Sequence, residues 1–131
     1  MDVSIIVVTH NSSRPVSALL ESLERHEPAC SHETIVVDNA SADGTPGMIR
    51  ERFPGVRLEA NDENVGYARG VNQGIRIAAG RAILVLNPDI EIRDDAVDRL
   101  LSALDARPRA GIVASRLVYP DGRLQLSLIH I

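Results

Sequence analysis

Three short apolar runs, each ending abruptly in small polar residues, constrain the fold of this chain more than any other feature. Residues 3–8 are apolar apart from Ser4 and stop at Thr9-His10-Asn11. Ile35-Val36-Val37 stops at Asp38-Asn39, and Ala82-Ile83-Leu84-Val85-Leu86 stops at Asn87-Pro88-Asp89. Runs this short and this rich in β-branched residues read as strands, and a strand without polar alternation is one covered on both faces. Helix-like segments separate them, the signature of a parallel sheet with crossover helices. Parallel neighbours bring their polar ends to one edge, where open α/β sheets bind ligands. Groups there that suit hydroxyls, amides and cations read as a nucleotide-plus-metal site.

The connecting segments fit this order. After residues 3–8, Ser12-Ser13-Arg14-Pro15 supplies a capping hydroxyl and a first-turn proline. Val16, Leu19, Leu20 and Leu23 then form one helical stripe. Residues 33–37 are a second strand, Thr45-Pro46 opens a short helix ending before Pro54, and residues 56–60 are a third strand alternating with charge. Residues 66–79 read as a helix with Ala68, Val71, Ile75 and Ala78 on one face and Gly80 as its stop. Residues 82–86 are the fourth strand. Asp94 or Asp95 caps a further helix, with Val97, Leu100, Leu101 and Leu104 as its buried stripe before Pro108. Residues 111–118 read as a fifth strand, and Tyr119-Pro120-Asp121-Gly122 as a turn. No repeat, low-complexity tract or linker interrupts the pattern, so the reading is one domain.

Composition narrows the function. A chain of 131 residues, 44% hydrophobic and 24% charged, can bury the core of one small α/β domain. The net charge of −4, scattered basic residues and 2% aromatics argue against a nucleic-acid surface. Cys30 is alone, with neither a disulfide partner nor a thiolate cluster, which suits a reducing compartment. No basic leader or long apolar segment marks export or membrane spanning, and the expected location is cytoplasmic.

Several strand-end residues have a chemical reading beside a bland one. Asp89, on a proline-stiffened turn, is placed to hold a hard divalent cation; Mg²⁺ and Mn²⁺ take few carboxylates beside phosphate oxygens and water. Its bland role is an Asx turn. Asp38 is suited to accept the imide N–H of uracil or thymine, or else to shape its own loop. Thr9 and Asn11 offer a hydroxyl and an amide to the same pocket, and His10 reads as a structural neighbour. The segment 64–72 puts polar and glycine residues at a helix start, an anion site or a close helix–sheet contact. It fits neither the dinucleotide fingerprint nor the P-loop.

The ordered set formed by Thr9-His10-Asn11, the loop from Val37 through Asp38-Asn39-Ala40-Ser41 to Thr45, Asn64-Val65-Gly66-Tyr67-Ala68, Asn72-Gln73-Gly74 and Leu86-Asn87-Pro88-Asp89 resembles glycosyltransferase family 2, the inverting GT-A-fold enzymes. It is most similar to the branch that includes bacterial rhamnosyltransferases, and the resemblance runs from Val3 to about Gln125. It implies a Rossmann-like open sheet, mostly parallel, with helices on both faces. It also implies transfer of a sugar from a UDP- or dTDP-linked donor to a saccharide or lipid-linked acceptor, as in cell-surface polysaccharide synthesis, with Mg²⁺ or Mn²⁺. Asp38 would bind the base, with Thr9, Asn11 and Asn39 around it. Asn64, Gly66 and Asn72 would flank the ribose or sugar. Asn87-Pro88-Asp89 stands at the family's Asp-x-Asp element with Asn in place of the first Asp, which makes Asp89 the metal ligand and Asn87 a nucleotide-sugar-binding residue without the charge for a metal bond.

The family's general base, a carboxylate in a Glu-Asp element, falls downstream of this sequence, so no catalytic residue is assigned within it. Residues 1–125 are then the donor-binding part of a C-terminally truncated domain. Residues 126–131, Leu-Ser-Leu-Ile-His-Ile, do not continue the pattern; they read as a translated transposase adapter, a non-native tail. Peripheral membrane association of the full protein fits a lipid-linked acceptor. The alternatives are a non-catalytic nucleotide-binding module and an unrelated Mg²⁺-dependent phosphoryl-transfer domain.

Overall fold

The structure is a computed structural model and describes residues 1–123. The chain divides into two compact units, Met1–Asp98 and a smaller one beginning at Arg99. The proposed tail at residues 126–131 lies outside the described residues.

Four parallel strands form the sheet of the first unit: β1 (Val3–Thr9), β2 (His32–Asn39), β3 (Arg57–Asn61) and β4 (Ala82–Leu86), in the order β3-β2-β1-β4. Helices α1 (Ser13–Arg25), α2 (Thr45–Arg52) and α3 (Tyr67–Ile77) make the crossovers, and α4 (Ala96–Asp105) follows β4. The chain steps one way from β1 to β3 and then returns past β1 to β4. With right-handed crossovers, α1 and α2 cover one face and α3 the other. The expectation of an open parallel sheet clothed on both faces is met. The reversal at β1 is the switch point beside which such sheets bind ligands.

The core follows from the sequence runs. Every residue of β1 is buried, as are Ile35, Val36 and Val37 of β2. The α1 stripe Val16, Leu19, Leu20 and Leu23 is buried as its spacing predicts, and Ile49 of α2 joins it. Each such side chain contributes about 1.5–3 kcal/mol by leaving water.

Three details depart from the sequence reading. The fully buried residues of α3 are Gly70 and Gly74; of the expected stripe, Val71 and Ala78 pack against Val8, Ile35 and Val37, whereas Ala68 and Ile75 are exposed. A Cβ on Gly74 would lie 2.7 Å from Ile6 Cγ2, and one on Gly70 would lie 2.8 Å from Val8 Cγ1. The sheet's own side chains fill the space that helix side chains usually take. Gly80 is no helix stop either, since α3 ends at Ile77. It is glycine because a Cβ there would lie 2.5 Å from the backbone nitrogen of Ser4.

The second departure is at α1, whose Ser12 makes no side-chain cap; its hydroxyl donates to the His10 carbonyl at 2.9 Å. Asp43, thirty residues on, accepts the Ser13 N–H instead. The third is the expected fifth strand, because residues 112–117 have no regular structure and Ile112 is 89% exposed. A β-branched run is competent to pair, but it becomes a strand only beside a partner edge.

Candidate functional site

Alternation along β1 sends Ile6 and Val8 toward α3, so Thr9 faces the opposite side of the sheet. Its register partner on β2 is Asp38. Val37 packs with Val8, so Asp38 shares the Thr9 face. Both are buried, at 2% and 1% exposure. Thr9 Oγ1 has no hydrogen-bond partner and is the only buried side-chain oxygen or nitrogen so placed among the described residues. An unsatisfied buried hydroxyl costs roughly 1–3 kcal/mol.

The loop after β2 aims Asp38. Its Oδ2 accepts the Ser41 N–H at 3.0 Å and its Oδ1 the Ser41 hydroxyl at 2.6 Å. The same Ser41 hydroxyl accepts the Asn11 N–H at 2.9 Å, and Asn11 Oδ1 accepts the Ala42 N–H at 2.7 Å. Asn11 and Ala40 sit in the left-handed region, with φ of 49° and 55°. For alanine that conformation costs on the order of 1–2 kcal/mol. Strain of this kind, held by surrounding bonds, collects at binding sites. His10 ties the two loops through Nδ1 and the Asn39 carbonyl, 2.6 Å apart, the neighbouring role its sequence context suggests.

Asp43 closes the arrangement. It accepts the N–H groups of Ser13 and Thr45, each at 3.1 Å, and the Thr45 hydroxyl. The Thr45 hydroxyl bond, with these backbone donors, holds the Asp43 carboxyl below its ordinary range. One carboxylate thereby serves the starts of both α1 and α2. Sequence reading missed Ser41 and Asp43 as organisers. The signal was the Asp38-to-Ser41 spacing and the Asp-Gly-Thr triplet before a helix, both turn and cap patterns.

Asn39 faces α3. Its Nδ2 donates to the Gly66 carbonyl at 3.0 Å, while its Oδ1 accepts the Asn61 amide at 3.0 Å and the Val65 N–H at 3.4 Å. Asn64 Oδ1 accepts the Gly66 N–H at 2.9 Å. Gly66 has φ 88° immediately before α3 and has open space around its Cα. Thus Asn39 and Asn64 fix the entry to α3, and Gly66 supplies its turn. Asn72 is exposed on α3. Asn87-Pro88-Asp89 forms a turn closed by Ile90 N–H donating to the Asn87 carbonyl at 3.3 Å. Asn87 Oδ1 accepts the Tyr67 hydroxyl at 3.3 Å, and Asp89 is exposed.

Among the described residues no three His, Cys, Asp or Glu side chains gather as a metal cage. Asp89 offers an exposed, hard oxygen donor at a strand end. That donor fits Mg²⁺ or Mn²⁺ held between one protein carboxylate and the oxygens of a bound diphosphate.

An open parallel sheet with polar strand ends at its switch point is the architecture of a doubly wound α/β protein that binds its ligand there. The chain belongs to glycosyltransferase family 2, whose profile, Glycosyl transferase family 2, matches residues 4–130. An N-acetylglucosaminyl-diphospho-decaprenol L-rhamnosyltransferase of Mycobacterium tuberculosis is 32% identical over 96% of this chain and 46% of its own length. The succinoglycan biosynthesis protein ExoO of Rhizobium meliloti is 38% identical over 80% of this chain and 30% of its own. The chain therefore spans less than half the length of these relatives. Among solved structures, S. aureus TarS (residues 1–349) shares the fold, with a TM-score of 0.73, 22% identity, and coverage of 88% of this chain and 39% of that one. The mannosyltransferase PcManGT of Pyrobaculum calidifontis, in complex with GDP-Man and Mn²⁺, has a TM-score of 0.70 and 28% identity, covering 91% and 36%.

Proposed function

We propose that this chain carries the nucleotide-sugar site of an inverting glycosyltransferase that moves a sugar from a UDP- or dTDP-linked donor to a saccharide or lipid-linked acceptor. The observation that carries the reading is the orphaned Thr9 hydroxyl, buried beside Asp38 at the switch point. A ligand that supplies the missing partner is one reason for a protein to keep such a group. Asp38 accepts the base imide N–H, a role open to a carboxylate and closed to Lys or Arg. Thr9 bonds the same base edge, and Asn11 fixes the loop around it. Asn64, Gly66 and Asn72 line the ribose and sugar side of the pocket, with Asn39 holding that wall.

Asp89 holds the cation. Mg²⁺ or Mn²⁺, when bound, neutralises the departing diphosphate as a Lewis acid. The relative that bears the rhamnosyltransferase name and the neighbour solved with GDP-Man and Mn²⁺ support a metal-assisted nucleotide-sugar reaction. Attack by an acceptor hydroxyl needs a carboxylate base within hydrogen-bond reach. Asp121 is committed to Arg123, accepting its N–H at 3.0 Å and its Nε–H at 2.6 Å. In this reading the base lies downstream of these residues, as the family resemblance implies, and this chain alone binds donor without transferring sugar.

Calorimetry with UDP tests the site. Asp38→Ala should weaken binding by roughly 1.5–3 kcal/mol, the worth of a charge-assisted hydrogen bond. Thr9→Val should weaken UDP binding while leaving stability equal or higher, because the free protein loses an unsatisfied hydroxyl. Unchanged affinity in both variants would remove the base pocket from these strand ends.

A further inference from the structure

We infer that Tyr67 is a positioning residue for the donor diphosphate: its phenol holds the Asn87 carboxamide so that the amide N–H₂ is the group presented to a phosphate oxygen. The inference rests on the nucleotide-sugar reading above and adds to it a role for Tyr67 and the orientation in which Asn87 meets the donor.

Tyr67 is the first residue of α3, and its start is fixed independently of the ring. Gly70 and Gly74 seat the helix against Val8 and Ile6, while Asn39 and Asn64 bind the carbonyl and N–H of Gly66. The phenol therefore projects from a rigid base. It is 52% exposed, so packing is not its purpose. Asn87, by contrast, sits on a turn closed by one long backbone bond. The Tyr67 hydroxyl reaches it across the crossover and donates to Oδ1 at 3.3 Å.

The chemistry follows from the donor inventory. A carboxamide has one acceptor oxygen and one N–H₂ donor. With the oxygen bound by a phenol O–H, the free valences that remain are chiefly donors. Donors suit the oxygens of a diphosphate and repel a cation. Asn87 therefore binds phosphate while Asp89, two residues on, binds the ion. A neutral residue at this position is then an asset, since a second carboxylate would oppose the diphosphate charge.

Titrations of uridine and of UDP with Mn²⁺ into wild type, Tyr67→Phe, Asn87→Ala and the double variant test this. Tyr67→Phe keeps the ring and removes the hydroxyl. It should weaken UDP roughly two- to tenfold and leave uridine unchanged, because Asn87 loses its orientation toward the phosphate and with it up to the worth of one hydrogen bond. In the Asn87→Ala background the same change should have no further effect. UDP affinity equal to wild type in Tyr67→Phe, or additive losses in the double variant, would overturn the Tyr67 role alone. A wild-type chain that binds neither uridine nor UDP would overturn the donor site and this inference with it.

Discussion

Asp43 shows how much of the site depends on a residue that touches no base or phosphate in the proposed scheme. It joins the Ser13 N–H at the start of α1 to the Thr45 N–H and hydroxyl at the start of α2. Helix starts leave four N–H groups without partners, and a carboxylate there also meets the favourable end of the helix dipole. Asp43→Ala should lower the melting temperature by several degrees, and Asp43→Asn, which keeps an acceptor oxygen, should lower it less. An Asp43→Ala variant as stable as wild type would show that Ser12 or solvent caps equally well. Residues of this kind are hard to see in a sequence because their partners lie thirty positions away. Thr9 and Asp38 were legible because each ends an apolar run. Asn39 was legible as polar and as part of the site's frame, whereas its aim toward α3 comes only from strand alternation.

At the scale of elements, β1, β2 and α1 follow directly from hydrophobic pattern, as continuously buried runs and a spaced stripe. β4 has the same apolar run yet is an edge strand among the described residues and exposes Ile83 and Val85. α3 is only half legible: Val71 and Ala78 of its predicted stripe pack against Val8, Ile35 and Val37, but the positions nearest the sheet are Gly70 and Gly74. Hydrophobic periodicity cannot report the part of a face whose role is to have no side chain. Residues 111–118 fail in the opposite sense: the pattern of a strand is present, yet residues 112–117 have no regular structure. The glycines give a contrast that tests this account. Gly74→Ala and Gly80→Ala should both destabilise, Gly80 more, because its obstacle is backbone that cannot rotate away. Gly47 lies within α2, and a methyl added there would meet nothing within 4 Å. Its alanine variant should be about 1 kcal/mol more stable. Urea midpoints for the three variants decide the matter. Gly74→Ala and Gly80→Ala as stable as wild type would show that close approach does not govern these positions.

For the molecule as a whole, charge sets the acid limit. Asp2, Glu33, Asp43 and Asp98 all have pKa values held below the ordinary range by hydrogen bonds, first from Ser31, Ser4, Thr45 and the Ala29 N–H respectively. A carboxyl depressed in the folded state contributes stability above its unfolded pKa and loses it as pH falls through the folded value. Stability should thus be flat through neutral pH and fall once pH drops below about 4, the unfolded carboxyl range. Solvent screening keeps the exposed Asp2 and Asp43 contributions small. A urea midpoint that already declines between pH 7 and 5 would point to histidine instead.

The proposed site belongs to this scale too, since it is assembled from the ends of β1, β2 and β4 and the start of α3. Calorimetric titration of UDP and of ADP into the unmodified chain, with Mn²⁺ and then with excess chelator, tests that convergence most directly. UDP should bind at least about tenfold more tightly than ADP, through Asp38 and Thr9, and chelation should weaken UDP through loss of the ion at Asp89. Equal affinities for the two nucleotides, unaffected by chelator, would contradict a pyrimidine diphosphate site at these strand ends.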